Sequence, residues 1–113
     1  MTRLLHVLAP GEVGGAERVV EVLSLAQLER GHEARIAAVV EEGGARTFVR
    51  RMEESPVPVT VVRAPHRSYW REALQLKRTF ESLTPDLVHT HGYHADVVGG
   101  MTALWAGLPR LST

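Results

Sequence analysis

The sequence predicts an α/β protein built on a doubly wound parallel sheet of about five strands. Short apolar runs alternate with amphipathic stretches along the chain, as they do where helices connect parallel strands. Glycines stand where two of the amphipathic stretches end, at Gly31 and Gly107, in the position of a helix C-terminal cap. The length of 113 residues corresponds to one domain, 1–113, with an ordinary hydrophobic core.

The composition excludes several classes of protein. The chain has 13 basic and 13 acidic residues, so it lacks the basic excess of a dedicated nucleic-acid binder. Its 23% content of charged residues and its formal net charge of zero argue against intrinsic disorder. The absence of cysteine excludes a disulfide scaffold, a cysteine zinc site and a thiol nucleophile. No apolar run approaches the roughly 20 residues of a membrane span, and we expect a cytoplasmic location.

The first half of the chain predicts two strands and two helices. A first strand, 4–8, is interrupted by His6 and ends before Pro10. A helix then begins near Gly14 and ends at Gly31, followed by a second strand, 34–40, and a short helix, 47–54. The apolar positions of the first helix recur at helical spacing: Ala16, Val19, Val20, Leu23 and Ala26.

The second half predicts three further strands. The third strand, 57–62, contains Pro58 and follows Pro56, so it belongs at a sheet edge. A helix capped by Ser68 runs to about Leu83, and a fourth strand covers 87–90. A last helix, 93–106, leads to a fifth strand that begins at residue 109. The helix before the fourth strand has an apolar stripe of Tyr69, Ala73, Leu76, Phe80 and Leu83.

Right-handed crossovers and the proline positions favour the strand order 3-2-1-4-5. Ligands of such a sheet bind beyond the carboxyl ends of the strands, where the direction of winding reverses beside strand one. The loops that follow strands one and four therefore hold the candidate site.

The loop after strand one is rich in glycine. Gly11, Gly14 and Gly15 stand between a strand and a helix, where the backbone can approach an anion and the helix N-terminus favours it. The spacing is neither a dinucleotide fingerprint nor a Walker loop. Glu17 suits the first turn of the helix. A tight turn without any ligand remains the alternative.

The loop after strand four is rich in histidine. His89, His91 and His94 fall within six positions, and the first two share one face of the strand. A metal site is one interpretation, but no carboxylate stands beside this pair and only Asp96 is near in sequence. Hydrogen bonding or proton handling by His91 is the interpretation we favour, with His89 a core histidine.

Three motifs together resemble the N-terminal domain of family-4 glycosyltransferases. They are GGAE at 14–17, RGHE at 30–33 and PDLVHTHGYHADVVG at 85–99. The resemblance runs along essentially the whole chain. It implies one Rossmann-like half of a GT-B fold, in a retaining enzyme that transfers a sugar from a nucleotide donor to an acceptor hydroxyl.

The resemblance also implies roles for individual residues. Gly14 and Gly15 match the loop that lies near the phosphates of the donor, and His91 matches the catalytic-site histidine that faces the reacting sugar. The remaining substrate-side positions are Gly11, Glu17, Gly92, Tyr93 and His94. The family usually needs no metal, so no metal ligand and no cofactor are assigned, and the nucleotide sugar is a substrate.

The family's donor-binding C-terminal domain, with its paired-glutamate motif, has no counterpart in these 113 residues. We therefore expect a truncated acceptor-side domain that is inactive alone. An incomplete sheet leaves an open edge, which favours a homo-oligomer. The alternative is a non-catalytic, flavodoxin-like scaffold or binding module that associates with itself.

A membrane-surface role is a further hypothesis. Basic residues cluster around the helix that carries Tyr69 and Trp70, and basic helices with interfacial aromatics can lie on anionic lipid. Sugar acceptors in this family are often lipid-linked, which extends the expected location to the inner face of the membrane. A solvated helix face is the simpler interpretation. The basic residues are Arg63, His66, Arg67, Arg71, Lys77 and Arg78.

Overall fold

A computed structural model describes residues 2–10, 14–40, 46–63, 69–92 and 94–112. Its five strands form one sheet in the order β3-β2-β1-β4-β5, and neighbouring strands pair in parallel. The strands are β1 Arg3–Leu8, β2 Glu33–Val40, β3 Val59–Arg63, β4 Leu87–His91 and β5 Arg110–Ser112. The helices are α1 Gly14–Glu29, α2 Arg46–Glu53, α3 Tyr69–Leu83 and α4 Gly100–Trp105, the last preceded by a π-helical turn, Ala95–Gly99.

The predicted strand order is confirmed, and β3 and β5 lie at the two edges. Strand β3 begins at Val59, two residues later than the sequence predicted. The Pro58 carbonyl accepts a hydrogen bond from the Ile36 amide at 2.9 Å, but proline has no N–H to continue the ladder. Val57 is nevertheless buried, so its apolar character reflects packing and not strand pairing.

Two hydrophobic cores cover the two faces of the sheet, because alternate strand residues point to opposite sides. Val39 packs with α3, the π turn and α4, whereas Ala38 and Val40 pack with α1 and α2. The helices thus lie on both faces, and the site at the strand ends rests on a sheet that is buried centrally.

The buried side of α1 differs from the predicted stripe. Val20 is fully buried as expected, but Val19 is 42% exposed and Ala26 is exposed. The polar Ser24 is fully buried, and Gln27 reaches the sheet to contact His6. Gln27 faces the sheet because it pairs with His6, and apolar periodicity does not reveal this contact.

The predicted stripe of α3 is correct at Leu76 and Phe80, which are buried, and wrong at Tyr69, which is 66% exposed. Glu72 takes the buried place in the first turn because His94 supplies a partner for its carboxylate. The predicted cap, Ser68, lies outside the described residues.

The predicted last helix is divided into a π-helical turn and α4. A Cβ on Gly99 would lie 3.1 Å from Thr90 Cγ2 and 3.5 Å from Val7 Cγ1, so the backbone approaches the sheet closely here. In the preceding turn, Asp96 accepts a 2.6 Å hydrogen bond from the Thr90 hydroxyl. These contacts fix the segment against β4, and π turns often occur at such irregular places.

Candidate functional site

The site lies where β1 and β4 end side by side. Leu8 and His91, the last residues of the two strands, are partners in the parallel register. Strand β2 lies on one side of β1 and β4 lies on the other. The direction in which successive strands are added therefore reverses between β1 and β4. The described residues that follow Leu8 and His91 therefore start from neighbouring positions at the carboxyl edge of the sheet, which is the edge where parallel α/β sheets bind ligands.

The glycines of the first loop open helix α1. Gly14 and Gly15 are its first two residues, and Glu17 lies in its first turn. A Cβ added to Gly15 would meet no atom within 4 Å, so packing does not require glycine at this position. Gly11, the third glycine of the predicted loop, lies outside the described residues.

Three histidine rings meet on the face of the sheet that α1 covers. His6 and His89 are register partners on β1 and β4, and His91 follows two residues later. His6 Nδ1 lies 2.9 Å from His91 Nε2, and the rings of His89 and His91 are 4.0 Å apart at their centroids. All three side chains are buried, with exposures of 0%, 8% and 3% for His6, His89 and His91.

Burial lowers the pKa of all three rings. The pKa of His91 falls to about 3, because desolvation disfavours its charged form and the neighbouring His89 and His6 add repulsion. Desolvation also lowers the pKa of His6 and of His89. Near neutral pH the three rings are therefore uncharged, and each carries one N–H and one lone pair.

Gln27 sets the orientation of His6. His6 Nε2 lies 2.7 Å from Gln27 Oε1, and an N–H donated to that amide oxygen leaves Nδ1 unprotonated. Nδ1 then accepts a hydrogen bond from His91 Nε2. The sequence interpretation considered only the histidines after β4. The predicted strand order and the alternation of side chains could have added His6, since it lies on the same face of the neighbouring strand.

His94 lies outside the histidine cluster and contacts Glu72 instead. Its Nε2 donates to both carboxylate oxygens of Glu72, at 2.9 and 2.8 Å, and its ring lies 5.8 Å from that of Tyr69. Glu72 is 3% exposed, so the pair forms a polar contact between α3 and the start of the π turn. The sequence pattern gives no sign of a role for Glu72, because a glutamate in a first helical turn is ordinary.

An apolar groove of about 880 Å³ lies beside this pair, between α3 and α4. Trp70 and Trp105 stack across it with ring centroids 5.6 Å apart, and Lys77 Nζ lies 4.9 Å from the Trp105 ring. Trp70 is 70% exposed and Met101 is 69% exposed. The groove was not predicted, because the aromatic residues that form it are far apart in sequence.

The structure thus separates the predicted site residues into two groups. His91 joins His6 and His89 beneath α1, whereas His94 joins Glu72 beside the groove. Gly92 stands between them with a φ of +88°, a conformation that glycine adopts freely. Tyr93 lies outside the described residues, and the roles assigned to these residues stay predictions.

The five-stranded parallel sheet, with helices on both faces, defines a Rossmann-like α/β domain. The profile described as Glycosyltransferase Family 4 matches residues 13–113, and the chain belongs to that family. The resemblance seen in the sequence is therefore confirmed. No curated protein matches the chain in sequence.

Two solved structures share the fold. MurG of Acinetobacter baumannii superposes with a TM-score of 0.73 at 16% identity, over 97% of this chain and 34% of that one. Anabaena Alr3699/HepE, solved in complex with UDP and glucose, gives a TM-score of 0.69 at 19% identity, over 99% and 29%. This chain therefore spans about a third of the length of either protein. Among the described residues, no helix is long and apolar enough to cross a membrane.

Proposed function

We propose that this chain forms the acceptor-side half of a retaining, nucleotide-sugar-dependent glycosyltransferase and is inactive without a donor-binding domain. The observation that supports the proposal is the pairing of Leu8 with His91, because the strands that precede the glycine-rich and histidine-rich segments end side by side. The likeness to a protein solved with UDP and glucose supports a nucleotide sugar as the donor.

The donor phosphates lie, in this proposal, against the start of α1. Gly15 is exposed and has open space where a side chain would stand. A glycine that packing does not require fits a place where a ligand approaches the backbone closely. The N-terminus of a helix favours negative charge through its backbone N–H groups and its dipole.

The acceptor lies on the side of Gly92 and His94. His94 is partly exposed and held by Glu72, so its ring has a fixed direction at the edge of the apolar groove. His91 is 3% exposed and hydrogen-bonded within the sheet. We assign it a positioning role at the carboxyl edge of the sheet, where its uncharged ring fixes the end of β4.

The proposal is tested by nuclear magnetic resonance titration of the chain with UDP, GDP and their sugar conjugates. We expect shifts in the first turn of α1 and around Gly92, with Gly15→Val weakening binding at least about tenfold because the side chain blocks the backbone. Ala26→Val is the matched control, since it places the same side chain at another exposed position of α1. Absence of binding, or equal weakening by both variants, contradicts the proposal.

A self-associating module is the second candidate function. Strand β5 pairs with β4 on one side, all three of its residues are exposed, and Leu111 is 51% exposed. An open strand edge with an apolar residue is a template for another chain. Homo-oligomerisation through this edge is measured by light scattering over a range of protein concentrations, and a constant monomer mass contradicts it.

Peripheral membrane contact is supported by a separate surface. Tyr69 and Trp70 are exposed, and the exposed Arg71 and Arg78 lie on the same helix. Co-sedimentation with anionic vesicles should fall for Trp70→Ser and at high salt. Equal behaviour with neutral and anionic vesicles contradicts an electrostatic membrane contact.

A further inference from the structure

The three buried histidines offer more than a hydrogen-bond network. Among the described residues, His6, His89 and His91 are the group whose potential ligand atoms come together, one nitrogen from each and all within 4.8 Å of one another. They project from two adjacent strands in fixed register, so the sheet itself holds the three rings together. A centrally buried sheet is a rigid support of the kind that metal sites require.

The chemistry of the donor set is specific. Three neutral imidazoles suit a borderline divalent transition ion such as zinc or cobalt, whereas magnesium and calcium prefer oxygen ligands. Three histidines with one open position form a known type of zinc coordination. The lowered pKa values keep the lone pairs available near neutral pH.

The surroundings of the cluster also match a metal site. Gln27 Oε1 accepts the Nε2 proton of His6 at 2.7 Å, which fixes this ring with Nδ1 free to act as a ligand. Metal-bound histidines ordinarily have such a partner on their other nitrogen. Asp96 acts electrostatically on His89, and a nearby negative charge favours a bound cation.

We propose that His6, His89 and His91 bind one divalent transition-metal ion, with zinc as the ion that the three nitrogens fit best. The ion replaces the hydrogen bond between His6 and His91, which now joins atoms 2.9 Å apart. The rings bind in their neutral forms, so at most a change of tautomer in His91 is needed and no net proton is released. Water or a ligand takes the remaining position, and the bound ion ties the ends of β1 and β4 together.

The test uses the 113-residue chain after treatment with a chelator. Cobalt(II) is titrated first, because its visible absorption reports nitrogen coordination, and zinc is then added to displace it. We expect one ion per chain and a rise in Tm, since an ion that binds only the folded state stabilises it. His89→Gln and His91→Gln should each weaken binding at least about tenfold.

Two control variants separate this site from the other histidines. His32→Ala removes a histidine at the opposite end of the sheet, and His94→Gln removes the partner of Glu72. Both should bind cobalt as the parent chain does. Loss of binding in His94→Gln with retention in His89→Gln would overturn the assignment.

A measurement on the parent chain covers the case in which a cluster variant does not fold. The side-chain nitrogen resonances of His6, His89 and His91 should shift on addition of zinc, while those of His32 and His94 stay in place. Unchanged resonances, or no cobalt absorption at saturating metal, overturn the proposal. Neither readout requires a nucleotide sugar, so the result is independent of the proposed transferase function.

Discussion

Burying a histidine inside a parallel strand costs free energy unless both ring nitrogens find hydrogen-bond partners. The ring of His6 is fully buried, and its two nitrogens are satisfied by Gln27 and His91. The pairing makes burial tolerable only in the neutral form, because a proton added to the cluster introduces a charge without solvent. The cluster therefore couples the stability of the sheet to pH.

The first prediction concerns this coupling in chelator-treated protein. The folded-state pKa of His91 is about 3, below the ordinary value of 6.5 that applies to the unfolded chain. Between these values the unfolded chain binds more protons, so the free energy of unfolding falls as the pH falls. The slope is at most about 1.4 kcal/mol per pH unit for each such histidine. Urea unfolding between about pH 7 and pH 5 measures it.

His91→Gln should reduce this slope, because glutamine cannot take up a proton in the unfolded chain. His32→Ala serves as the comparison, since His32 lies outside the cluster and its Nδ1 accepts a hydrogen bond from the Thr2 amide. A slope that is the same in His91→Gln and the parent chain would show that His91 is not protonated on unfolding.

The second prediction concerns the contact between His94 and Glu72. His94→Ala leaves a carboxylate that is 3% exposed without its imidazole partner. The cost should be about 1–3 kcal/mol of unfolding free energy. The double variant with Glu72→Gln should recover part of it, because the buried charge is gone. Additive losses in the double variant would argue that the pair is not coupled.

Local sequence patterns predict some contacts of the histidines and not others. The shared face of His89 and His91 follows from strand alternation, and their ring contact confirms it. To place His6 beside them, one must know that β1 and β4 are neighbours and which residues of the two strands face the same side of the sheet. The contact between Glu72 and His94 depends on how α3 lies relative to the π turn, and no local sequence pattern encodes that arrangement.

At the scale of elements, the third prediction tests the close approach of the π turn to the sheet. Gly99→Val should destabilise the protein by about 1–3 kcal/mol, because its side chain would press on Thr90 and Val7. Gly15→Ala is the comparison, since a Cβ there meets no atom within 4 Å. Thermal unfolding of both variants measures the difference, and equal stabilities would contradict the close packing.

The strands and helices were predicted correctly where a single sequence feature, such as an apolar run or a proline, determines the structure. Strands β1, β2 and β4 follow from apolar runs, and the edge position of β3 follows from its prolines. The stripe of α1 was wrong at Val19, which is exposed, because Gln27 faces the sheet and pairs with the histidine in β1. The π turn escaped prediction because its geometry depends on Asp96 accepting a hydrogen bond from Thr90 of β4.

At the scale of the whole molecule, the sheet has two edges of different character. Strand β3 follows two prolines, and prolines discourage pairing at an edge. Strand β5 has an exposed Arg110–Ser112 run with Leu111, which is 51% exposed, at its centre. The exposed apolar surface of Trp70, Met101 and Leu104 lies on the helices instead of an edge. Association can therefore follow either of two routes, which substitutions distinguish.

The last prediction separates these routes. If self-association runs through β5, Leu111→Lys should lower the apparent mass at high protein concentration, because a charged side chain on an edge strand opposes pairing. Met101→Lys places the same charge in the groove between α3 and α4, where it leaves the edge intact. Light scattering of the parent and both variants at matched concentrations decides between them. A decrease in mass for Met101→Lys alone would make the apolar groove the interface, and an unchanged mass in both variants would exclude both surfaces.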